Sequence, residues 1–168
     1  MSVFFGLLIL TGTIAYITWG TWWSVFWFLV YGNIYSFSNP LWHETGHKTA
    51  FKSKFLNEFF YYISSFMSNF EPTRWRYSHF VHHGNTYSIE NPFDHEIEYG
   101  NDLNETPKRL IINIIPFLDL VFIKKHILFE IFQHAFGIKT KVMEDCIPEN
   151  AQAKAIFISR IYVAIWSL

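Results

Sequence analysis

The sequence predicts an all-α integral membrane protein: an N-terminal transmembrane hairpin followed by helices at the cytoplasmic membrane face. The first observation is composition, since 51% of the residues are hydrophobic and only 16% are charged, against about a quarter charged in soluble domains. The second is that residues 1–42 contain no Asp, Glu, Lys, Arg or His. A buried hairpin inside a soluble domain is the alternative.

The uncharged segment is long enough for two membrane crossings. Its apolar stretch, Val3 to Phe37, is too long for a cleavable signal peptide, and as one helix it would overshoot a bilayer core of about 30 Å. We therefore predict a break near Gly20-Thr21 and two arms, at about 3–19 and 22–38, each just long enough to span. All 13 Lys and Arg residues follow the hairpin, so the positive-inside rule places the following segment in the cytoplasm.

Periodicity and breaks predict the next elements. Apolar residues at helical spacing across 55–70 predict an amphipathic helix, which lies either at the membrane surface or against a protein core. Glu71-Pro72 is a break, and the segment 73–83 is predicted to be a new helix with Thr73 as its cap. The polar, acid-rich segment 84–109 predicts a solvated loop.

Two further apolar segments complete the predicted architecture. The apolar run at 110–123 contains Pro116 and Asp119, which makes it a poor membrane span, so we predict interfacial or re-entrant helices at about 103–137. Another apolar run, at about 155–168, predicts the start of a transmembrane helix. We therefore expect residues 1–168 to form one membrane domain, with this last helix incomplete.

Charge and cysteine content exclude several classes. The net charge of -1 offers no basic face for phosphates, which argues against a nucleic-acid partner. The single cysteine, Cys146, cannot form an internal disulfide or a Cys-based zinc cluster. We expect it to be an inert small side chain.

Five of the eight histidines fall into two tight groups. The first group has spacing i, i+4 and the second has spacing i, i+3, i+4; they are His43 and His47, and His79, His82 and His83. Residues four apart share one face of a helix, so such a pair can bind one metal ion. Imidazole suits iron, zinc and copper alike. The pattern predicts a metal centre without selecting the metal.

The segment "HETGH", residues 43–47, also fits the zinc-protease pattern H-E-x-x-H. In that hypothesis His43 and His47 bind zinc with a third ligand, and Glu44 is the general base. The hypothesis leaves members of the second histidine group without a role, and it places Gly46 inside a helix that should be rigid. A membrane zinc metalloprotease remains an alternative.

The spacing of "HETGH" and "HFVHH", within "WRYSHFVHHGNT" and after an apolar hairpin, resembles the first two histidine boxes of the membrane fatty acid desaturase and hydroxylase superfamily. The resemblance implies two iron ions, molecular oxygen as co-substrate, and desaturation of an acyl chain, because side chains alone cannot break an unactivated C–H bond. It also implies a third box beyond a further pair of transmembrane helices. Without that box we expect little or no activity. The iron ligands that the resemblance implies are His43, His47, His79, His82 and His83.

The resemblance carries further expectations. The substrate would be a membrane lipid or an acyl carrier, and the electrons would come from a ferredoxin or a cytochrome b5-like protein, since no Gly-rich dinucleotide motif follows a strand. Glu44 and His95 are candidates for supporting the ligands from outside the coordination sphere, His95 being otherwise a solvated loop residue. His126 and His134 are either ligands or interfacial residues.

Other functions stay open at the level of sequence. Hydroxylation uses the same oxidant as desaturation, and nothing local in the sequence separates the two. A hydroxylase or monooxygenase of alkyl or carotenoid substrates is the alternative; "HETGHK" resembles the first box of membrane alkane monooxygenases, but their second box begins differently from "HFVHH". A membrane protein that binds heme or copper through histidine pairs is a non-enzymatic alternative.

Overall fold

The computed structural model describes residues 1–84, 94–96 and 127–168, and all regular elements in these ranges are helices. The predicted all-α class is confirmed for this part of the chain. The chain divides into two compact units, Met1–Ser68 and Asn69–Leu168. The described helices are α1 (Ser2–Ile17), α2 (Trp22–Tyr35), α3 (Ser38–Gly46), α4 (Lys54–Met67), α5 (Pro72–Gly84), α6 (Ile127–Ala135), α7 (Lys141–Cys146) and α8 (Glu149–Trp166).

The predicted hairpin is present in the first unit, where α1 packs against α2. The chain reverses at Gly20, whose φ of 82° lies in the left-handed region that glycine adopts without strain. The two helices approach closely at Gly12, where an added Cβ would lie 3.2 Å from the ring of Tyr31. The predicted break near Gly20-Thr21 is therefore confirmed.

Both arms are shorter than predicted. Helix α1 ends at Ile17, and α2 ends at Tyr35 because the chain turns there into α3, with the Ser36 hydroxyl donating to the Asn33 carbonyl at 2.7 Å. Such local hydrogen bonds compete with helix continuation. Within residues 1–84, 94–96 and 127–168, no helix combines the length and the apolar character that crossing a membrane requires.

The buried and exposed side chains of the hairpin are distributed opposite to those of a soluble domain. Its buried positions are Leu8, Thr11 and Ala15 in α1 and Ser24 in α2. The Thr11 hydroxyl donates to the Leu7 carbonyl at 2.7 Å, so this buried polar group is satisfied inside its own helix. Large apolar side chains point outward instead: Val3, Leu7, Ile9, Leu10, Tyr16, Ile17, Trp19, Trp22, Trp23, Val25, Phe26, Phe28 and Leu29.

Helix α4 shows the same inversion where it packs against α3. Its buried residues are Asn57, Tyr61, Ser64 and Ser65. Three residues of the predicted apolar stripe are exposed by 73%, 37% and 48%; they are Phe55, Leu56 and Phe59. The amphipathic helix is thus confirmed, but the hypothesis that protein covers its stripe is wrong for these residues.

The second unit is built around α8. This helix packs against α6 and α5, and α5 also packs against α7. A small core forms where Met143, Ile147 and Ala155 meet, and the Gln152 amide closes the α7–α8 turn by donating to the Ile147 carbonyl at 3.0 Å. Helix α8 begins at Glu149, earlier than the predicted residue 155. The prediction was based on an apolar run, and the first turns of the helix are more polar than that run.

The predicted interfacial helices are described only from residue 127 onward, as α6. The run at 110–123 lies outside the described residues, as does most of the predicted loop 84–109. Helix α7, a short segment that the sequence analysis did not single out, connects α6 to α8.

The start of α5 differs from the prediction, because Glu71 and not Thr73 caps it. The Glu71 carboxylate accepts hydrogen bonds from the backbone N–H groups of Thr73, at 3.0 Å, and Arg74, at 2.5 Å. Pro72 occupies the first helical position, where its missing N–H costs nothing. Burial raises the pKa of Glu71 to about 7, although the hydrogen bonds from Arg74 and Thr73 oppose the shift.

Glu71 should make the folded state less stable as the pH rises. A carboxyl whose pKa is raised from 4.5 to about 7 in the folded state binds its proton more tightly there, so stability falls between those pH values and is constant above them. We expect Glu71→Gln to gain roughly 3 kcal/mol relative to the parent between pH 4 and pH 8. Denaturant unfolding of both proteins across this range measures the difference, and a difference that does not vary with pH would contradict the assignment.

Gly46→Ala should destabilise the first unit. An added Cβ would lie 3.0 Å from the ring of Tyr61, which is buried and stacks on Trp42 at a centroid distance of 6.4 Å. We expect a loss of about 1–3 kcal/mol from overpacking, measured as a lower thermal midpoint in detergent.

Gly32→Ala is the matched control for this substitution. Gly32 lies inside α2 with no atom within 4 Å of an added Cβ, so the better helix propensity of alanine should leave stability equal or raise it by up to about 1 kcal/mol. Equal effects at the two glycines would show that the Tyr61 contact does not constrain position 46.

Candidate metal centre

His43 and His47 lie side by side at the C-terminal end of α3. His43 is in the last turn and His47 is the residue that follows the helix, with helical backbone angles, so the i, i+4 spacing still places both rings on one face. The ring centroids are 4.6 Å apart, and a ring nitrogen of one lies within 4.8 Å of a ring nitrogen of the other. The next residue, Lys48, has a φ of 63° and directs the chain away from the pair.

Glu44 lies on the solvent side of this histidine pair. Its side chain is 60% exposed, with Oε1 at 3.4 Å from Nδ1 of His43, and it accepts a hydrogen bond from the Thr49 hydroxyl at 3.0 Å. The Thr49 hydrogen bond, and then His43, lower the pKa of Glu44 below its ordinary value. Glu44 is therefore an ionised surface group beside His43.

His79 and His83 on α5 have their ring nitrogens facing each other. Nε2 of His79 lies 2.9 Å from Nε2 of His83, and the rings are perpendicular with centroids 4.4 Å apart. Two imidazole nitrogens that bind one ion at 2.0–2.1 Å and at a right angle stand about 3 Å apart. The distance between the two nitrogens is therefore compatible with one shared metal ion.

Two carboxylates engage the opposite nitrogens of the second histidine group. Oε2 of Glu96 lies 2.8 Å from Nδ1 of His79, and Oδ2 of Asp94 lies 3.0 Å from Nδ1 of His82. The side chain of Asp94 is fully buried. With Nδ1 held by an acid, Nε2 is the nitrogen left to bind a metal on each of these rings.

Neither acid was predicted as a site residue from the sequence. Their segment was predicted to be a solvated loop with only His95 as a candidate, whereas Asp94 and Glu96 are largely buried. The signal in the sequence is the triplet Asp-His-Glu, in which two acids flank a histidine.

His95, which lies between the two acids, contacts an acid of α7. Its Nε2 lies 2.9 Å from Oδ2 of Asp145 on α7, and both side chains are 16% exposed. His95 is therefore largely buried, which contradicts the expectation of a solvated loop residue. Its contact is with α7 and not with a histidine of α5.

Arg74 connects Glu96 to α6. Its Nε lies 3.1 Å from Oε2 of Glu130, and its guanidinium also donates to the Ser78 hydroxyl at 3.0 Å. Ser78 in turn donates to Oε1 of Glu96 at 3.0 Å. A continuous set of polar contacts thus runs from α6 through α5 to His79.

Two other sequence candidates differ in environment. His134 is fully buried on α6, with Nε2 at 2.8 Å from the Thr140 hydroxyl, and burial lowers its pKa, so it is an interior hydrogen-bonding residue. His126 lies outside the described residues. Cys146 is buried and its pKa is raised to about 11 by that burial, which agrees with the inert thiol that we expected.

The chain matches one known family over nearly all its length. The family model described as Fatty acid desaturase matches residues 6–167. No curated protein and no solved structure gives a significant match.

Arg74→Lys should destabilise the second unit. A lysine lacks the rigid planar fork with which arginine contacts Glu130 and Ser78 through different nitrogens, so we expect the contact to a largely buried acid to weaken. We expect a loss of about 2–4 kcal/mol in denaturant unfolding. Arg160→Lys, at an exposed position where Nε donates to the Ala135 carbonyl at 2.9 Å, should cost less than about 1 kcal/mol. A loss at Arg74 no larger than that control would contradict the role of the buried network.

Proposed function

Because the chain belongs to the fatty acid desaturase family, we propose that it is a membrane-bound, iron-dependent desaturase that introduces a double bond into an acyl chain with molecular oxygen. The observation that carries the proposal is the second histidine group. His79 and His83 face each other through Nε2 at 2.9 Å, and Glu96 holds Nδ1 of His79. This arrangement supports a metal-binding role more directly than a structural one.

We propose that the ligands of two iron ions include His43, His47, His79, His82 and His83. Bound iron would activate oxygen and remove hydrogen from an unactivated methylene, which no side chain can do alone. The protein supplies the imidazoles and fixes their orientation. In the contact between the two rings, His79 accepts the Nε2–H of His83 when its own Nδ1–H donates to Glu96, so metal binding would displace one proton.

Membrane association is proposed from the side chains that the first unit exposes. Most large apolar residues of α1 and α2 are exposed, and the buried positions are Thr11, Ala15 and Ser24 beside Leu8. Three tryptophans at the tip of the hairpin are also exposed, as interfacial aromatic residues are in membrane proteins; they are Trp19, Trp22 and Trp23. We propose that the hairpin inserts into the bilayer and that the histidine-bearing helices lie on the cytoplasmic side.

The substrate and partner proposals follow from chemistry and sequence. A long acyl chain, held as a membrane lipid or on a carrier, suits a site beside apolar surface such as the stripe of α4. The chain carries no Gly-rich dinucleotide motif after a strand, so the electrons would come from a separate ferredoxin or cytochrome b5-like protein.

Hydroxylation of an alkyl or carotenoid substrate is the closest alternative, because it shares the oxidant. The zinc-protease hypothesis has less support, since the Glu44 side chain is 60% exposed and is held by Thr49 and His43. A general base in a protease must face the metal-bound water.

Lipid profiling tests the proposed function. A gene that encodes this chain together with a third histidine box is expressed in a host with a simple fatty acid profile, and we expect new double-bond positions together with about two irons per chain in purified protein. Hydroxylated products would favour the alternative oxidation. One zinc per chain with Glu44-dependent peptide hydrolysis would contradict a desaturase.

His83→Ala provides the mutational test of the same proposal. Removing one imidazole of the facing pair should lower iron content by at least half and reduce product by about 100-fold or more. Phe80→Leu, at an exposed position of the same helix, is the control and should retain both. If His83→Ala forms as much product as the parent at an equal amount of protein in the membrane, His83 is not a ligand of the site.

A further inference from the structure

We propose that Asp94 and Glu96 are positioning residues that fix the tautomer of His82 and His79 for metal binding, and that the His95–Asp145 contact holds both acids in place. The inference rests on the proposed metal-binding function. It assigns a shared role to a segment, residues 94–96, which the family match alone does not explain.

The geometry of the two acid–histidine contacts carries the first step. Glu96 lies 2.8 Å from Nδ1 of His79 and Asp94 lies 3.0 Å from Nδ1 of His82. A carboxylate accepts but does not donate hydrogen bonds when ionised, so each Nδ1 must carry the proton. Nε2 is then the unprotonated nitrogen, and its lone pair is available to a metal ion.

The charge of the acids carries the second step. An anionic partner on Nδ1–H raises the basicity of the opposite nitrogen, in addition to fixing the ring orientation. Both acids are well shielded, since the Asp94 side chain is fully buried and that of Glu96 is 10% exposed. Water therefore weakens these contacts little compared with a surface ion pair.

The segment itself is held from both sides. Oδ1 of Asp94 accepts a hydrogen bond from the Glu96 backbone N–H at 3.0 Å, which fixes the turn between the two acids. On the opposite side, His95 contacts Asp145 at 2.9 Å. Asp145 lies on α7, which packs against α5.

Helix α7 is a firm support for this contact. Three of its six residues are buried, Val142, Met143 and Cys146, and Met143 belongs to the core of the second unit. The His95–Asp145 contact therefore ties the acid-bearing segment to the core. His95 anchors the segment to α7, and the two acids that flank it orient the rings of His82 and His79.

Ser78 extends the positioning to the second oxygen of Glu96. It donates to Oε1 at 3.0 Å while Oε2 contacts His79, so both carboxylate oxygens have partners and the group cannot rotate without losing one. A glutamine at position 96 would keep an acceptor for His79 but would lose the charge and one acceptor.

Anaerobic metal binding by the purified protein in detergent tests the inference. Co²⁺ is the probe, because its visible absorption reports the coordination environment in addition to affinity. We expect Glu96→Ala and Asp94→Ala each to raise the Kd for Co²⁺ by 10–100-fold and to change the absorption bands, as removing such partners does elsewhere. Glu96→Gln should fall between Glu96→Ala and the parent.

The tether has its own variants. His95→Ala and Asp145→Ala should each raise the Kd by up to about tenfold, and combining His95→Ala with Asp145→Ala should add little to either, because both remove the same contact. The matched controls are Glu144→Gln and Glu149→Gln, which remove exposed acids next to the same core and should leave Kd and spectrum unchanged.

The outcomes separate this inference from the proposed function. If the parent protein binds no Co²⁺ and no Fe²⁺, the proposed function fails. If the parent binds Co²⁺ and the Asp94 and Glu96 variants bind it with equal affinity and equal absorption, the positioning role alone is overturned. Circular dichroism and unfolding of the metal-free variants complete the test: an affinity loss that matches a smaller folded fraction, with an unchanged spectrum for the bound ion, would also overturn it.

Discussion

The second unit depends on the contacts that the buried guanidinium group of Arg74 makes. It lies between Glu130 on α6 and Ser78 on its own helix, and it stacks on Trp75 at 4.2 Å. A charge of this kind is tolerated in a protein interior only when it is paired and hydrogen-bonded. Ser78 donates to Glu96, and Glu96 contacts Nδ1 of His79. The orientation of a candidate ligand therefore depends on Arg74, the third residue of α5.

A second feature marks the first unit, where small and polar side chains are buried beside Leu8, Trp42 and Tyr61. The buried Thr11, Ser24 and Ser64 hydroxyls donate to carbonyls of their own helices, so they need no partner across the interface. Small residues allow helices to approach closely. Helix α4 follows the same pattern, since it exposes Phe55 and Phe59 and buries Asn57.

The sequence was informative where a rule is local. The i, i+4 spacing predicted the facing pairs His43–His47 and His79–His83, and the glycine predicted the reversal of the hairpin, because both follow from helix geometry and backbone sterics. The predicted cap of α5 was wrong by two residues. Thr73 is a good capping residue by propensity, but the helix begins at Pro72 and the Glu71 carboxylate accepts from the N–H groups of Thr73 and Arg74. Helix ends are decided by side-chain reach, which a propensity ranking does not contain.

The supporting acids were missed for a different reason. Glu96 is 17 residues from His79, and Asp145 is 50 residues from His95, so neither contact has a periodicity that links it to its partner. A polar, acid-rich segment predicts a solvated loop, and only the folded chain shows that two of its acids are buried. The acids of the segment can be counted in the sequence, but the sequence does not show which of their side chains point into the protein.

The two histidine groups use acids of different character, and this bears on the meaning of "HETGH". Glu44, the acid inside that motif, is exposed, lies 3.4 Å from His43, and is held by Thr49. Glu96 and Asp94 are distant in sequence, yet they are buried at 2.8 and 3.0 Å from their histidines. An acid that only happens to follow a ligand in the helix has its side chain on a different face, about 100° away. Glu44, which completes the letters of the protease pattern, is therefore a weaker hydrogen-bond partner for its histidine than Asp94 and Glu96 are for theirs. Those two acids come from a part of the chain that lies outside both histidine motifs.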